Sequence, residues 1–482
     1  MTNKKVIKVH PKDHTNDPAI ERFELSDYDH CLPKIYTLIA LVYKLGEGTA
    51  SPETIIGNLQ QGLEVTLSQY RSLSGVLRTS PESGKVWIQK RRESIVDLIA
   101  NWMEDAFPSY EELEKADFPC HAIDGDALLP TALTQKQPLT PLGEEKEDDS
   151  VVFCAQVNFI RGGVVLGIAI HHCCSDAPGT DGMLTNWAEN TRRVIVGAGP
   201  APFDARNLDR SPLISKATPT EAQLREIEER GITGALAHVK TPPTPPKDFV
   251  MPPISQVMLH FSKSALERLR ADAKPVDQDR ISNYNAIMAM MWRSITRARI
   301  PLFHPNPSSP THLVHAVGFR RYVKPALPPG YLGNVLMLPK PGLAIENLLS
   351  DDGLRSAAAA VRTSITSSVS PSTIEDTSTW IAGTPNKAWI SLKLNSFLGM
   401  DLAATTWQGM SGYTTQDFGF GLPRAIRWPK PNVEGYVFVF PERPKEDPEE
   451  GVELCVVLET SCMDRLLGDE ELGKYAVPRG MD

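Results

Sequence analysis

Val164-Val-Leu-Gly-Ile-Ala-Ile170 runs directly into His171-His172-Cys-Cys-Ser-Asp176, and then into Ala177-Pro-Gly-Thr-Asp-Gly-Met-Leu-Thr-Asn-Trp187-Ala188. The first seven residues are apolar and rich in β-branched side chains, the composition of a strand buried on both faces. Asp176, Pro178 and Gly179 carry turn chemistry that halts regular structure. Beyond them Leu184, Trp187, Ala188, Thr191, Val194 and Ile195 recur on one face of a predicted helix. A strand that hands a histidine to a loop in front of a helix fixes an imidazole at the edge of a cleft. His172 is therefore the first candidate for chemistry, with Asp176 four residues on.

Working outward, Val151–Ile160 and Val164–Ile170 read as a hairpin around Arg161-Gly162-Gly163. Upstream, Ile35–Val42 reads as a strand. Ser51 and Pro52 mark a helix start, with Ser51 as the cap and Pro52 in the first turn. Leu73–Leu77 and Val86–Ile88 read as strands about a turn, and 135–149, with five acids among 144–149, as a solvated loop. Downstream, residues 198–256 are rich in proline, peaking at Thr241–Lys247, which predicts a stiff crossover rather than a packed element. Helices are expected at 264–272, 282–299, 354–369 and 463–475, and strands at 313–319, 335–338, 437–440 and 453–458. The alternation of strands and helices gives an α/β class with mixed sheets, or a mixed α+β one. Its units are an N-terminal domain over 1–197, the crossover, and a C-terminal domain over 257–482.

Bulk properties exclude some function classes. The chain has 482 residues, 41% hydrophobic and 23% charged, as in an ordinary globular protein. A net charge of −9 argues against nucleic acid or an anionic membrane as partner. Seven cysteines without framework spacing, no secretory leader and no apolar run of about 18–20 residues predict a cytosolic protein with reduced thiols. His171, His172, Cys173 and Cys174 do not read as a metal site. Neighbours on an extended chain point in opposite directions, and zinc ligands are usually about two to four residues apart.

A neutral imidazole, with a pKa near ~6.5, can take a proton from a hydroxyl or amine at neutral pH. A nearby carboxylate could fix its tautomer, or anchor the loop through a cation elsewhere. On spacing alone, a satisfied, partly buried histidine without a task is an equal reading.

Several stretches shift that balance. His171-His172-Cys-Cys-Ser-Asp176, with Trp187 in the next helix, resembles the HHxxxD segment of the BAHD acyltransferases, and Asp417-Phe-Gly-Phe-Gly421 resembles their DFGWG segment. Leu25–Asp29, Leu32–Tyr36, Gln156–Gly163, Ile281-Ser282 before Trp292-Arg293, Phe319-Arg320, Tyr331–Asn334, Thr405–Trp407 and Met463–Leu466 extend the likeness over almost the whole chain. Within the family the run is similar to fungal trichothecene 3-O-acetyltransferases. The resemblance implies two similar domains of the chloramphenicol-acetyltransferase type with a solvent tunnel between them. Acetyl-CoA or another acyl-CoA would enter one mouth and a small-molecule acceptor the other, in a monomer that needs no metal.

The resemblance further implies that His172 is the general base and that Asp176 is a structural loop anchor paired with an arginine, Arg320 being the candidate. Thr405 and Trp407 would face the developing oxyanion. Ser262, Lys263, Ser282 and Arg424 are the candidates for holding coenzyme A. Departures are Ala177 for the usual glycine, Phe420 for tryptophan and Asn285 for aspartate. An acyl-accepting Cys174 or Ser175 is disfavoured by side-chain direction, so direct transfer is expected. A condensation enzyme fed by a carrier protein, or a binding protein without turnover, are the competing readings.

Overall fold

In the computed structural model, residues 3–130, 150–240, 248–276, 280–429, 433–444 and 447–480 are described. The sequence-read loop at 135–149 lies outside them. Two principal sheets are built from β1 (Asn3–Val9), β2 (Tyr36–Lys44), β3 (Val96–Trp102), β4 (Phe153–Ile160), β5 (Gly163–His171), β6 (Ile254–Phe261), β7 (Pro310–His315), β8 (Gly342–Ala344), β9 (Leu402–Thr406), β10 (Ala425–Arg427), β11 (Tyr436–Val439), β12 (Val452–Glu459) and β13 (Val477–Arg479). The first sheet has the order β1-β3-β4-β5-β2-β10, the second β8-β7-β9-β11-β12-β6-β13. Both are mixed, with β3 parallel to β4 in the first, and β7, β9 and β11 mutually parallel in the second.

Every residue of β4 and β5 is buried, as expected for a strand pair covered on both faces. The turn between them puts Gly162 at φ 72°, a conformation that suits glycine. On one face of the first sheet lie α1 (Pro52–Gln69) and α2 (Ala177–Ile195). Ser51 caps α1 by accepting from the Thr54 N–H, and Trp187 of α2 donates its indole N–H to the Leu59 carbonyl. α3 (Glu221–Glu229) lies in the inter-domain segment. The second sheet is backed by α4 (Lys263–Ala273), α5 (Asn283–Phe303) and α6 (Gly353–Ser368), which bury Leu313, Leu402, Ala404, Val437, Val439 and alternate residues of β6 and β12. Its other face, with Met258, Phe438, Cys455 and Val457, joins the core of the first sheet. One apolar cluster thus spans both halves, while the helix-backed face of the second sheet forms a cluster of its own.

Several sequence readings need correction. The boundary at 257 is crossed: β10, from the C-terminal half, adds to the first sheet beside β2. Residues 198–256 are not merely a crossover. α3 buries Ile227 against α7 (Pro371–Gly383), and Leu236–His238 pairs with Ile390–Leu392. The Leu73–Leu77 strand begins only at Val76, because Arg71–Ser74 forms a 3-10 turn. The last helix stops at Leu467, where Gly468 ends it, and a separate 3-10 turn covers Leu472–Lys474. No described helix is long and apolar enough to cross a membrane.

Candidate active site around His172

His172 follows the last residue of β5, and its main chain is fixed on both sides. Its N–H donates to the Ile35 carbonyl at 2.7 Å, and its carbonyl accepts from Asn334 Nδ2 at 2.8 Å. The residue is partly exposed, while Nδ1 is enclosed without a hydrogen-bond partner. Burial lowers the pKa of His172 below the ordinary imidazole value, outweighing the smaller opposing pull of its own backbone and of Asp176. At neutral pH the ring is uncharged and able to accept a proton.

Asp176 is directed elsewhere. It is 4% exposed and caps α2 by accepting from the Gly179 N–H at 3.0 Å. Arg320 donates to it through two nitrogens, at 2.5 and 2.7 Å, and the Val335 N–H donates at 2.9 Å. Four donors occupy its two oxygens, in the bidentate geometry that makes an arginine–carboxylate pair strong. The carboxylate thus joins the strand–loop–helix of the first half to the 320–335 segment of the second.

A second buried pair stands beside it. Asp29, fully buried, accepts from Arg210, from the Ser26 N–H and hydroxyl, and from both the N–H and the side-chain amide of Asn334. Arg210 also donates to the Cys174 carbonyl at 3.0 Å. Asn334 therefore carries one contact from Asp29 to the His172 main chain. Sequence reasoning quoted Asp29 and Asn334 within matching segments but gave them no task, and it passed over Arg210. The one available signal was the charged pair Asp209-Arg210 between Leu208 and Leu213, in a segment read as linker.

Thr405 is the last residue but one of β9, and Trp407 directly follows the strand. Leu402 and Ala404 pack under the helices, so strand alternation turns Thr405, like Trp407, toward the first sheet. Trp407 is buried against Trp428 and Phe440, with ring centroids 5.6 and 6.0 Å away. The Asp417–Gly421 loop packs on α2 and β2. Phe418 meets Trp187 edge-on at 5.1 Å, Phe420 meets Tyr43 at 4.9 Å, and Asp417 accepts from the N–H groups of Gly419 and Gly421.

The candidate coenzyme A residues differ in how the fold engages them. Ser282 donates its hydroxyl to Asn285 in the reciprocal box that caps α5, whereas Ser262 caps α4 by accepting from the Ala265 N–H and lies 3.2 Å from the Ser264 hydroxyl. The α4 N-terminus already holds an acid, Glu449, and Lys263 pairs with Glu442 at 3.3 Å. Arg424 differs: its side chain is exposed and lines a recess of about 410 Å³ with Lys44, Phe420 and Pro444. The expectation about Cys173 and Cys174 also needs revision. The chain turns after β5, so these neighbouring thiols do not point apart; their sulfurs lie 3.9 Å from one another.

Two helix-backed mixed sheets, with a loop histidine bonded to both halves through its main chain and a carboxylate–arginine pair joining them, make a two-domain α/β fold. The chain belongs to the Transferase family, that of the BAHD acyltransferases: the family's profile matches residues 124–472, and a profile described as a trichothecene 3-O-acetyltransferase-like N-terminal domain matches residues 35–189. It is an acyltransferase. Acetyltransferase FGR3 of Gibberella zeae is 29% identical over 501 residues, covering 100% of this chain and 95% of that protein. Trichothecene 3-O-acetyltransferase TRI101 of Fusarium sporotrichioides is 26% identical over 459 residues, covering 92% and 94%. The crystal structure of F. graminearum TRI101 complexed with coenzyme A and T-2 mycotoxin has the same fold, with a TM-score of 0.76 at 19% identity, covering 95% of this chain and 99% of that one.

Proposed function

We propose that this chain moves an acyl group, acetyl in the first instance, from a coenzyme A thioester to a hydroxyl of a small secondary-metabolite acceptor. His172 is the general base. The observation that carries this reading is the setting of His172: main chain pinned on both sides, ring kept uncharged by burial, and Asp176 wholly engaged by other donors. With Nδ1 enclosed, Nε2 is the nitrogen that meets the acceptor. It takes the hydroxyl proton as oxygen attacks the thioester carbonyl. The carbon–sulfur bond then breaks, and the imidazolium returns the proton to the thiolate leaving group. Thr405 and Trp407, on the inward face of the second sheet, supply donors toward the oxyanion. Arg424, with Lys44 beside it, is suited to coenzyme A phosphates.

A tunnel between the halves admits thioester and acceptor from opposite sides, so transfer is direct within a ternary complex. One relative's structure holds coenzyme A and a mycotoxin together, which supports that order of events. Seven free, buried cysteines fit a monomer working in the reducing cytosol.

The test is release of free thiol from acetyl-CoA with a panel of polycyclic alcohols. His172→Ala is expected to lower turnover by roughly 10²–10⁴-fold with near-UV circular dichroism unchanged. Turnover should fall on the acid side with a midpoint below ~6.5, because burial disfavours the imidazolium. Unaltered turnover in the variant would remove His172 as base. An acetylated enzyme trapped without acceptor would replace direct transfer by a two-step route.

A further inference from the structure

The turn after β5 gathers three donor atoms on either side of His172. Cys173 Sγ lies 3.9 Å from Cys174 Sγ and 3.0 Å from His171 Nδ1, and all three atoms fall within 4.8 Å of one another. The three residues are between 0% and 2% exposed. The Cys173 N–H also points at His171 Nδ1, at 3.4 Å; with Nδ1 accepting, the proton sits on Nε2, which has no hydrogen-bond partner. This is the tautomer a metal ion requires.

Two fates are open to such a thiol pair. A disulfide between neighbours is opposed by geometry, since adjacent Cα atoms are ~3.8 Å apart and disulfides need about 4.4–6.8 Å. An ion is not opposed. Two zinc–sulfur bonds of ~2.3 Å spanning 3.9 Å enclose about 116°, close to tetrahedral. Nδ1 would need to draw back by only about 0.5 Å to complete a normal coordination angle.

We propose that His171 Nδ1, Cys173 Sγ and Cys174 Sγ form a site for one thiophilic divalent cation, Zn²⁺ or Cd²⁺, and that filling it suppresses acyl transfer. Binding releases two thiol protons and forms two metal–sulfur bonds and one metal–nitrogen bond, with no change of oxidation state. Because ligands 171 and 173 flank residue 172, the ion draws in the backbone on both sides of the proposed base. The suppression rests on the function proposed above; the binding does not.

The full-length protein, freed of metal, is titrated with Cd²⁺ and watched for a thiolate-to-metal charge-transfer band in the ultraviolet. One equivalent should produce the band, and Cys173→Ser with Cys174→Ser should remove it or weaken binding at least tenfold. His14→Ala is the control, since His10, His14 and Glu93 form a second donor cluster without sulfur. Should the serine variants misfold, Cd²⁺ protection of Cys173 and Cys174 from alkylation, read by mass spectrometry on the unaltered protein, decides the matter. Absence of the band and of protection would overturn the site. Full occupancy with undiminished thiol release would overturn the suppression alone.

Discussion

Two buried ionic clusters join the halves of this molecule, and they are built differently. The cluster behind His172 pairs Asp176 with Arg320 and Asp29 with Arg210, and each aspartate also accepts main-chain N–H groups, from Gly179, Val335, Ser26 and Asn334. In the second cluster Glu453 accepts from Arg427, Arg443 and Arg479, while Arg479 also reaches Glu450 and Arg443 reaches Asp117. Burial alone would lift the Glu453 carboxyl, but the three arginines hold it below the usual range. The arginines here also cover carbonyls: Arg427 donates to those of Asp117 and Phe118, both in left-handed conformation. The first cluster uses charge to aim backbone at the site. The second uses charge to fasten one half to the other.

Substitutions can separate these roles. The largest effect is expected from Glu453→Ala, which leaves Arg427 and Arg443 buried without their shared partner. A loss of about 3–5 kcal/mol in urea unfolding should accompany unchanged turnover per folded molecule. Arg320→Met should cost about 3 kcal/mol and also lower turnover, since the Val335 anchor loosens. Arg320→Lys should recover part of the stability but not the turnover, because lysine lacks the planar fork. Equal losses of turnover at both clusters would erase the distinction.

His315 gives a third, independent reading of the second half. It is fully buried between Tyr284 and Ser364, and burial lowers its pKa to about 4. The folded state resists protonation while the unfolded chain accepts it near ~6.5, so its contribution is present above that pH. About 3 kcal/mol should be lost as pH falls from ~6.5 toward 4, and His315→Gln should flatten that slope. The smallest effect separates two glycines of the 417–421 loop. Gly419→Ala (φ 94°) meets Ile195 Cδ1 at 2.2 Å, whereas Gly421→Ala (φ 101°) meets nothing within 4 Å. Both should cost about 1 kcal/mol in backbone conformation, with more lost at Gly419 and measured by thermal unfolding.

Local signals explain what the chain disclosed in advance. Ser51-Pro52 started a helix because a hydroxyl cap and a missing N–H both suit its first turn. β5 was legible from its unbroken apolar run, and β4 from the Arg161-Gly162-Gly163 turn that joins it to β5. Ser370-Pro371 carried the same start signal for α7, and it was overlooked. Other features had no local signature. β10 is three residues long and pairs with a strand far earlier in the chain, so no periodicity could mark it. Arg210 and Asp29 meet across 181 positions, and their identities as partners follow only from the tertiary fold. The convergence of Cys173 and Cys174 depended on a turn where extended chain was assumed.

That short third-party strand has one more implication. Because Ala425–Arg427 is hydrogen-bonded to Val42, Leu41 and Ala40, the halves cannot swing apart like a hinged shell without tearing a sheet edge. Any parting of the halves would therefore break main-chain hydrogen bonds, a cost that a plain side-chain contact would not impose.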